Sequence, residues 1–344
     1  MPSDIQLMER KNNISAIIKA IRINRKMTRR ELMNRLNLSW GCISELIALL
    51  IDEGIVVETE IEEPASRGRI PTALMLAERQ KVLGLDVNRV GISVCVCNLY
   101  GEMLFEHTMA LNAADCDSVL VSLFSAIETA RKAYPDIVTA GIAMQGMKEV
   151  ASDIWNFPAD KAVKIDFERD IASKLDIPVM IEHDPNCMLL SLVEESVKET
   201  KMLVRIDSGV GASIYKSNRF FDNEPLELGY TVCGENGERL SSYIKKCGFD
   251  SDTPPSAEAI NRAGSVLGVA LGNFCNLISL DEIILCGEFM KHGAELLSVV
   301  EKTFSETVIQ GIATRITTSF IKNASFGAAK LALDAFPYLR GNKT

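Results

Sequence analysis

The sequence lacks the long apolar runs that membrane proteins and secreted precursors carry. No stretch of about 18 uncharged apolar residues occurs, which argues against a transmembrane helix. The first residues, MPSDIQLMERKNN, contain no apolar segment of the kind found in signal peptides. The nine cysteines are odd in number and show no short spacing typical of a disulfide framework. We therefore expect a cytoplasmic protein with reduced thiols and no membrane partner.

What the chain does contain is the composition of an ordinary globular protein. Its 344 residues suffice for two or three domains, and 47% of them are hydrophobic. The net charge of −9 argues against a protein that coats nucleic acid along its whole length. Residues 1–50, however, hold nine basic and four acidic residues, a net +5, which leaves −14 on the remainder. A basic head on an acidic body favours a DNA-binding module joined to a sensing or catalytic domain, with chance clustering of charge on a solvated helix face as the alternative.

The first 60 residues show apolar spacing that predicts three helices followed by a β-ribbon. The first helix is predicted over residues 7–24. The segment Thr28–Glu31 has the form of a capping box that opens a second helix. Ser39 is the expected N-cap of a third helix that stops at Gly54, and a strand-forming stretch follows at 55–59. This order is typical of a winged helix-turn-helix, whose third helix enters the major groove.

Candidate DNA contacts lie in the first turns of the third helix and in a basic segment after the ribbon. Trp40 can pack on a base or sugar, or it can cover a helix junction. Arg67-Gly68-Arg69 can place an arginine in a narrow minor groove, or it can be an interdomain linker. For the module as a whole, a protein-interaction domain is the alternative. The predicted DNA-binding residues are Thr28, Arg29, Ser39, Trp40, Gly41, Ser44, Arg67 and Arg69.

Beyond Ala73 the apolar pattern changes from helical spacing to alternation, and strands and helices then follow in two similar sets. Strands are predicted at 82–87, 91–99, 103–107, 137–143, 178–181, 202–207, 212–215 and 282–286, and helices at 117–133, 167–175, 256–279 and 292–307. Such a repeated order predicts a two-lobed α/β body with a cleft between the lobes.

Six segments of this body resemble motifs of the ROK family, named for repressors, open reading frames and kinases. They are LGLDVNRVGISVCVCNLYGEML (83–104), AGIAMQGM (140–147), IEHDPN (181–186), RIDSGVGASI (205–214), ELGY (227–230) and ILCGEFMKHG (284–293). Their order behind a winged helix resembles the family's transcriptional repressors of sugar metabolism.

The resemblance implies an N-terminal winged helix-turn-helix followed by a two-lobed actin-like ATPase (ribonuclease H-like) body. The implied boundaries place the winged helix at 1–77 and a first lobe at 78–185, completed by a C-terminal helix at 325–338. The second lobe is expected at 186–324, with the ligand cleft between the lobes.

The resemblance also indicates which parts of a sugar kinase this chain keeps. Such a kinase holds nucleotide phosphates on the amides of two Gly-rich hairpins and deprotonates the sugar hydroxyl with a carboxylate. The carboxylate position is kept as Asp184, and the second hairpin keeps Gly209 and Gly211. The first hairpin reads Asp86-Val87-Asn88-Arg89-Val90 where the kinase pattern is Asp-x-Gly-Gly-Thr, so side chains should obstruct the close approach of a phosphate. We therefore predict no kinase activity, a vestigial base at Asp184, and no cofactor.

The zinc motif of the family is incomplete here. Family members carry Cys-x-Cys-Gly-x-x-Gly-Cys after Glu-x-Gly-His, whereas this chain keeps Cys233 alone and has Tyr230 at the histidine position. Tetrahedral zinc needs four nitrogen or sulfur ligands, so we predict no structural zinc.

A sugar site is implied by the resemblance, with stacking on Trp155 beside it. Several of its residues have ordinary structural alternatives: Asn156 as a turn residue, His183 as a core histidine and Glu227 as a surface carboxylate. The predicted ligand-binding residues are Gly146, Asn156, His183, Asp184, Glu227 and Tyr230.

Together these features predict a sequence-specific DNA-binding transcriptional regulator of carbohydrate metabolism, in the first place a repressor. It would bind a double-stranded operator as a homodimer or tetramer and sense a sugar or sugar derivative in the cleft. Two alternatives stay open: an ATP-dependent sugar kinase with a regulatory DNA-binding head, and a degenerate scaffold regulated by a protein partner.

Overall fold

The contacts of the chain divide it into two units. The computed structural model describes residues 4–60, 72–149, 152–158, 163–194, 198–207, 209–217, 219–220, 226–233, 237–248 and 255–340. Unit 1 comprises Met1–Glu182 and Ala328–Thr344, and unit 2 comprises His183–Gly327. The chain thus leaves unit 1, forms unit 2 and returns. Across the described residues, no helix is both long enough and apolar enough to cross a membrane.

The N-terminal part of unit 1 has the predicted order of a winged helix-turn-helix. Its elements are α1 (Asp4–Asn24), β1 (Met27–Thr28), α2 (Arg29–Leu36), α3 (Trp40–Asp52), β2 (Val56–Glu60) and β3 (Thr72–Leu76). The strands form one sheet in the order β1-β3-β2. The capping box is confirmed, because the Thr28 hydroxyl accepts from the Glu31 amide while the Glu31 carboxylate accepts from the Thr28 amide. Ser39 caps α3 by accepting from the Cys42 amide.

The rest of unit 1 is a five-stranded sheet covered by helices, with a small second sheet beside it. Its elements are β4 (Lys81–Asn88), β5 (Gly91–Asn98), β6 (Met103–Met109), α4 (Cys116–Ala133), β7 (Ile137–Met144), β8 (Met147–Lys148), β9 (Ile154–Phe157), β10 (Val163–Asp166), β11 (Val179–His183) and, further along the chain, α9 (Ser325–Arg340). The sheet orders are β11-β7-β4-β5-β6 and β10-β9-β8. Gly141 on β7 leaves no room for a Cβ against the Ala328 carbonyl, so α9 packs directly on this strand.

Two local features of unit 1 differ from the sequence prediction. The helix predicted at 167–175 is a π-helical turn at Phe167–Ile171 followed by a 3-10 turn at Ala172–Lys174. Asp166 and Asp170 accept backbone amides there, and such side-chain bonds compete with a regular helix. The strands β8, β9 and β10 were not predicted, because runs of two to four residues carry too little alternation to detect.

The winged helix is tied to the rest of unit 1 through a buried arginine. Arg22 on α1 is only 7% exposed, and its guanidinium donates to the Leu99 carbonyl at 3.1 Å and to Asp334 of α9 at 2.8 Å. The Tyr100 hydroxyl adds a second tie by donating to the Arg25 carbonyl at 3.1 Å. Both contacts lie within unit 1, which contains the winged helix and the sheet formed by β4–β7 and β11.

Unit 2 is built on a five-stranded sheet in the order β14-β13-β12-β15-β16. Its elements are α5 (Asp184–Leu192), β12 (Lys201–Ile206), β13 (Val210–Lys216), β14 (Arg219–Phe220), α6 (Leu240–Lys246), α7 (Ala257–Cys275), β15 (Glu282–Cys286), α8 (Gly293–Thr307) and β16 (Arg315–Thr318). Because β12, β15 and β16 are parallel, their carboxyl ends meet at one edge of the sheet. Open α/β sheets bind ligands outside that edge, so we expect a site there.

Candidate functional site

Three charged side chains converge at the carboxyl edge of the unit 2 sheet. Arg205 on β12 donates from Nη1 to Asp184 Oδ2 at 2.6 Å and from Nε to Asp207 Oδ2 at 2.5 Å. Asp184 is the first residue of α5, and Asp207 follows β12 directly. We call these three residues the charged triad. With both carboxylates ionised, the triad carries a formal charge of −1.

Asp184 is the most deeply buried member of the triad, with a side chain that is 6% exposed. Burial raises the pKa of Asp184 above its usual range, while the positive charge of Arg205 acts in the opposite direction. Cys286 lies at the same edge, and burial raises the pKa of its thiol to about 12. The raised pKa disfavours the thiolate, which is the nucleophilic form of cysteine, at neutral pH.

Side-chain oxygens accept from one backbone amide of the second hairpin, which joins β12 to β13, and from one amide of the turn that follows β15. The Val210 amide donates to Ser241 Oγ at 2.9 Å. Across the edge, the Glu288 amide donates to Asp207 Oδ1 at 2.7 Å. Gly287 has a φ of +102°, and a Cβ there would lie 2.6 Å from Asp207 Oδ1, so glycine is needed for this approach.

The first hairpin, which joins β4 to β5 in unit 1, is closed by uncharged side chains. Asn88 Oδ1 accepts from the Val90 amide at 2.9 Å and from the Gly91 amide at 3.2 Å. Gln145 Oε1 accepts from the Arg89 amide at 2.8 Å. Three consecutive amides that could face a phosphate are therefore engaged by the chain itself.

Two of the predicted ligand-binding residues lie in unit 1 and are neighbours. Gly146 has a φ of +114° and leaves no room for a Cβ against the Asn156 carbonyl. The Asn156 amide donates to Glu149 Oε1 at 3.4 Å. The expected stacking surface on Trp155 is wrong: this side chain is 2% exposed and packs in the hydrophobic core of unit 1. Strand alternation on β9 explains this, because Trp155 and Phe157 point to the core face.

The other predicted ligand-binding residues lie in unit 2. His183 is buried and directly precedes Asp184 of the triad. Glu227 sits beside β13, since its neighbour Leu226 bridges to Ala212. Tyr230 is half exposed and its ring stacks under the Arg239 guanidinium at 4.6 Å. Assembly of all six residues into one sugar site stays a prediction.

The segment after Tyr230 does not suit zinc. Cys233 donates its Sγ–H to the Glu238 carbonyl at 3.5 Å, and Tyr230 is engaged with Arg239. Cys247 is buried on α6's C-terminal side. Within the described residues, no group of three or more His, Cys, Asp or Glu side chains is arranged to hold a metal ion. One thiol and a stacked tyrosine do not make a tetrahedral site.

The predicted DNA-binding residues differ in how accessible they are. Trp40 begins α3 with 56% of its surface exposed, and Gly41 beside it has open space around its Cα. Ser44 is half-buried on the same helix. The hydroxyls of Thr28 and Ser39 accept the capping hydrogen bonds of α2 and α3. Arg29 forms an ion pair with Glu58 at 2.5 Å. Arg67 and Arg69 lie outside the described residues.

Two residues of the site escaped prediction although their motif was recognised. Arg205 and Asp207 lie in RIDSGVGASI, of which only the glycines Gly209 and Gly211 entered the prediction. The sequence does indicate them, since two charged residues that flank one buried strand residue are expected to form ion pairs or hydrogen bonds. Which partner Arg205 takes depends on α5, which is separated from it in sequence and meets it only in the fold.

Comparisons with known proteins agree with this architecture. The sequence profile of the ROK family matches residues 82–248. The chain is 26% identical over 215 residues to the xylose repressor of Caldicellulosiruptor bescii, covering 60% of this chain. It spans about half the length of the first curated relatives that it matches, 44% and 54%.

Solved structures show the fold. A ROK family transcriptional regulator, a homologue of the E. coli MLC protein, matches with a TM-score of 0.78 over 96% of both chains at 19% identity. A ROK family glucokinase from Streptomyces griseus, solved with glucose and AMPPNP, matches with a TM-score of 0.60 at 15% identity, covering 73% of this chain and 99% of that one. The predicted fold is confirmed: a winged helix-turn-helix precedes an actin-like ATPase body. Residues 82–248 of the chain form a ROK family domain.

Proposed function

We propose that the protein is a sequence-specific DNA-binding regulator of carbohydrate metabolism that acts in the cytoplasm as a repressor. The observation that carries this is the exposed first turn of α3, led by Trp40, on a basic winged helix joined to a ROK domain. Relatives named xylose repressor support the same function. A winged helix contacts the major groove through this turn.

We further propose that the ROK domain senses a ligand and does not transfer phosphate. The described amides at the tip of the first hairpin donate to Asn88 and Gln145. At the carboxyl edge of the unit 2 sheet, the Val210 and Glu288 amides donate to Ser241 and Asp207. Phosphoryl transfer depends on such amides being available to the nucleotide. Asp184, the vestigial base, is held by Arg205. With ATP, magnesium and a panel of hexoses and pentoses, we expect no release of ADP.

The effector in this proposal is a sugar or sugar derivative that contacts Gly146, Asn156, His183, Asp184, Glu227 and Tyr230. It would change operator affinity only if it binds two arrangements of the protein with different affinity. Xylose is the first sugar to test, because of the relatives' names. Asp184→Ala should abolish the response to sugar while leaving operator binding intact.

We also propose that a homodimer or tetramer binds a pseudo-palindromic operator. An apolar groove on unit 2 supports self-association, because Val232, Val269 and Leu277 along it are exposed. Light scattering after size exclusion should therefore give at least twice the mass of 37.8 kDa.

The test of operator recognition is selection of bound duplexes from a random pool, followed by fluorescence anisotropy with and without the sugar. Trp40→Ala should weaken binding to the selected site by about 1–3 kcal/mol if its ring contacts a base. Val121→Ala is the matched control, because Val121 is 68% exposed on α4, outside the winged helix. Absence of any enriched sequence at physiological salt would refute the proposed function.

A further inference from the structure

The outward face of α3 carries an acidic residue between two small ones. The buried side chains of this helix form one stripe, namely Ile43, Leu46, Ile47 and Leu50. The opposite stripe is exposed and consists of Gly41, Glu45, Ala48 and Asp52. Because Gly41 and Ala48 lie one turn before and one turn after Glu45, the Glu45 side chain extends beyond its neighbours on this stripe.

The helix α3 lacks the side chains that most often read guanine. Its sequence, WGCISELIALLID, contains no lysine and no arginine. The commonest base-specific contact of proteins with DNA is a lysine or arginine on the O6 and N7 atoms of guanine, and α3 cannot supply it. In its first two turns, which the proposed function places in the major groove, Glu45 is the charged side chain.

Glu45 is paired with a basic residue of α1. Arg10 Nη2 lies 3.3 Å from Glu45 Oε1, while 69% of the Glu45 side chain stays exposed. An exposed ion pair adds little to the free energy of unfolding. Here it offsets the negative charge of the carboxylate, which DNA phosphates would otherwise repel, and it limits the directions in which the carboxylate points. Glu45 is therefore an accessible acceptor that is held beside a positive charge.

The base that best matches a carboxylate in the major groove is cytosine. A carboxylate accepts hydrogen bonds and donates none. Cytosine presents its N4 amino donor there, guanine presents two acceptors, thymine presents an acceptor and a methyl group, and adenine presents an acceptor beside its donor. Cytosine therefore offers a donor without an adjacent acceptor. A glutamine at the same position would instead match adenine, by accepting from N6 and donating to N7.

We propose that Glu45 determines operator specificity by accepting a hydrogen bond from the N4 amino group of a cytosine in each half-site, with Arg10 as the residue that positions its carboxylate. This rests on the proposed function, in which α3 enters the major groove. The operator then requires a G·C pair of fixed orientation at the position that Glu45 contacts.

Selection of bound duplexes from a random pool, with the wild-type protein and with Glu45→Gln, tests this assignment. The wild-type protein should enrich cytosine at one position of each half-site. With Glu45→Gln, the preference for cytosine over adenine at that position should fall at least about tenfold, and adenine should become the favoured base. Preferences at the other positions should stay as they are. Fluorescence anisotropy with duplexes that differ only at that base pair measures the change.

Asp52→Asn is the matched control, because it removes one exposed carboxylate from the same stripe at the C-terminal end of α3. Both variants lose one negative charge, so the affinity for DNA of any sequence should rise by a similar factor in each. The change of preferred base should be confined to Glu45→Gln. Arg10→Met should reduce the cytosine preference at the same position about threefold, and Arg10→Lys should recover part of it.

Thermal melts establish that each variant folds. Unchanged base preferences in Glu45→Gln, or the same change of base in Asp52→Asn, overturn the inference while the proposed function stands. An Arg10→Met variant that keeps the wild-type preference overturns the role given to Arg10. If the wild-type protein enriches no sequence, the proposed function fails, and the inference fails with it.

Discussion

The two hairpins of the body differ in the side chains that accept hydrogen bonds from nearby backbone amides. Each hairpin joins two antiparallel strands of its sheet. In unit 1, Asn88 and Gln145 supply neutral oxygen acceptors to three successive amides. In unit 2, the Asp207 carboxylate accepts an amide and is balanced by Arg205, which also holds Asp184.

Loss of a neutral acceptor and loss of a charged partner should destabilise the protein to different extents. A neutral acceptor that is lost leaves amides that water can still reach at an exposed turn. A buried charge that loses its partner remains in a poorly solvated place and carries the full desolvation cost. The second hairpin is therefore expected to be the more sensitive of the two, both to mutation and to pH.

The largest effect should come from breaking the charged triad. Arg205→Met leaves Asp184 buried without its counter-ion and should lower the free energy of unfolding by about 3–5 kcal/mol at neutral pH. Urea denaturation measures this loss. Arg205→Lys, which restores the charge without the two-armed geometry, should recover part of it. A loss below about 1 kcal/mol would show that the triad is not the dominant charge arrangement of this edge.

A smaller effect is expected in the first hairpin. Asn88→Ala removes the acceptor of the Val90 and Gly91 amides and should cost about 1–2 kcal/mol, as the loss of a helix N-cap does. Asn88→Ser keeps an acceptor oxygen and serves as the control. If Asn88→Ala destabilised the protein as much as Arg205→Met, the proposed contrast between neutral and charged hairpins would be wrong.

The smallest effect is the dependence of stability on pH. Its sign should differ between Asp184 in unit 2 and Asp170 in unit 1. The pKa of Asp184 is raised by burial, so the native state binds more protons than the unfolded state between the ordinary aspartate pKa and this raised value. Stability contributed through Asp184 therefore falls as pH rises through that window. In unit 1, the hydrogen bond from Arg169 lowers the pKa of Asp170, so its contribution is lost as pH falls through the lowered value.

Urea midpoints measured across the acidic range should show this opposition. Asp184→Asn should remove a decline of stability with rising pH, and Asp170→Asn should remove a decline with falling pH. Equal slopes for the wild type and the Asp184→Asn variant would contradict the assignment of a raised pKa to Asp184.

Local patterns predicted most of the elements because they depend on neighbours in sequence. The capping box at Thr28 and the N-cap at Ser39 are confirmed, since both are satisfied within three residues. The long strands β4, β5 and β7 were also predicted, since their apolar runs are sustained over eight residues. The short sheet of β8, β9 and β10 was not predicted, because its strands pair with each other but are too short to show an apolar pattern of their own.

The site was harder to predict because its contacts are distant in sequence. Asp184 was predicted from its place after a buried strand, but its pairing with Arg205 depends on how α5 meets β12. The prediction of a stacking surface on Trp155 is wrong, because the segment Ile154-Trp155-Asn156 has the same sequence whether the tryptophan ring is exposed or buried. The tie between Arg22 and Asp334 spans 312 residues and has no sequence signature at all.

That tie has a consequence for the order in which the chain folds during synthesis. Unit 2 is contiguous, but unit 1 needs the segment from Ala328 onward, so α9 can dock on β7 only after the whole of unit 2 has been made. The buried Arg22 can therefore pair with Asp334 only after the ribosome has passed residue 334. Domains that fold as contiguous units complete from the N-terminus onward. The winged helix is synthesised before unit 2 and α9, so its contact with Asp334 can form only after both have been made.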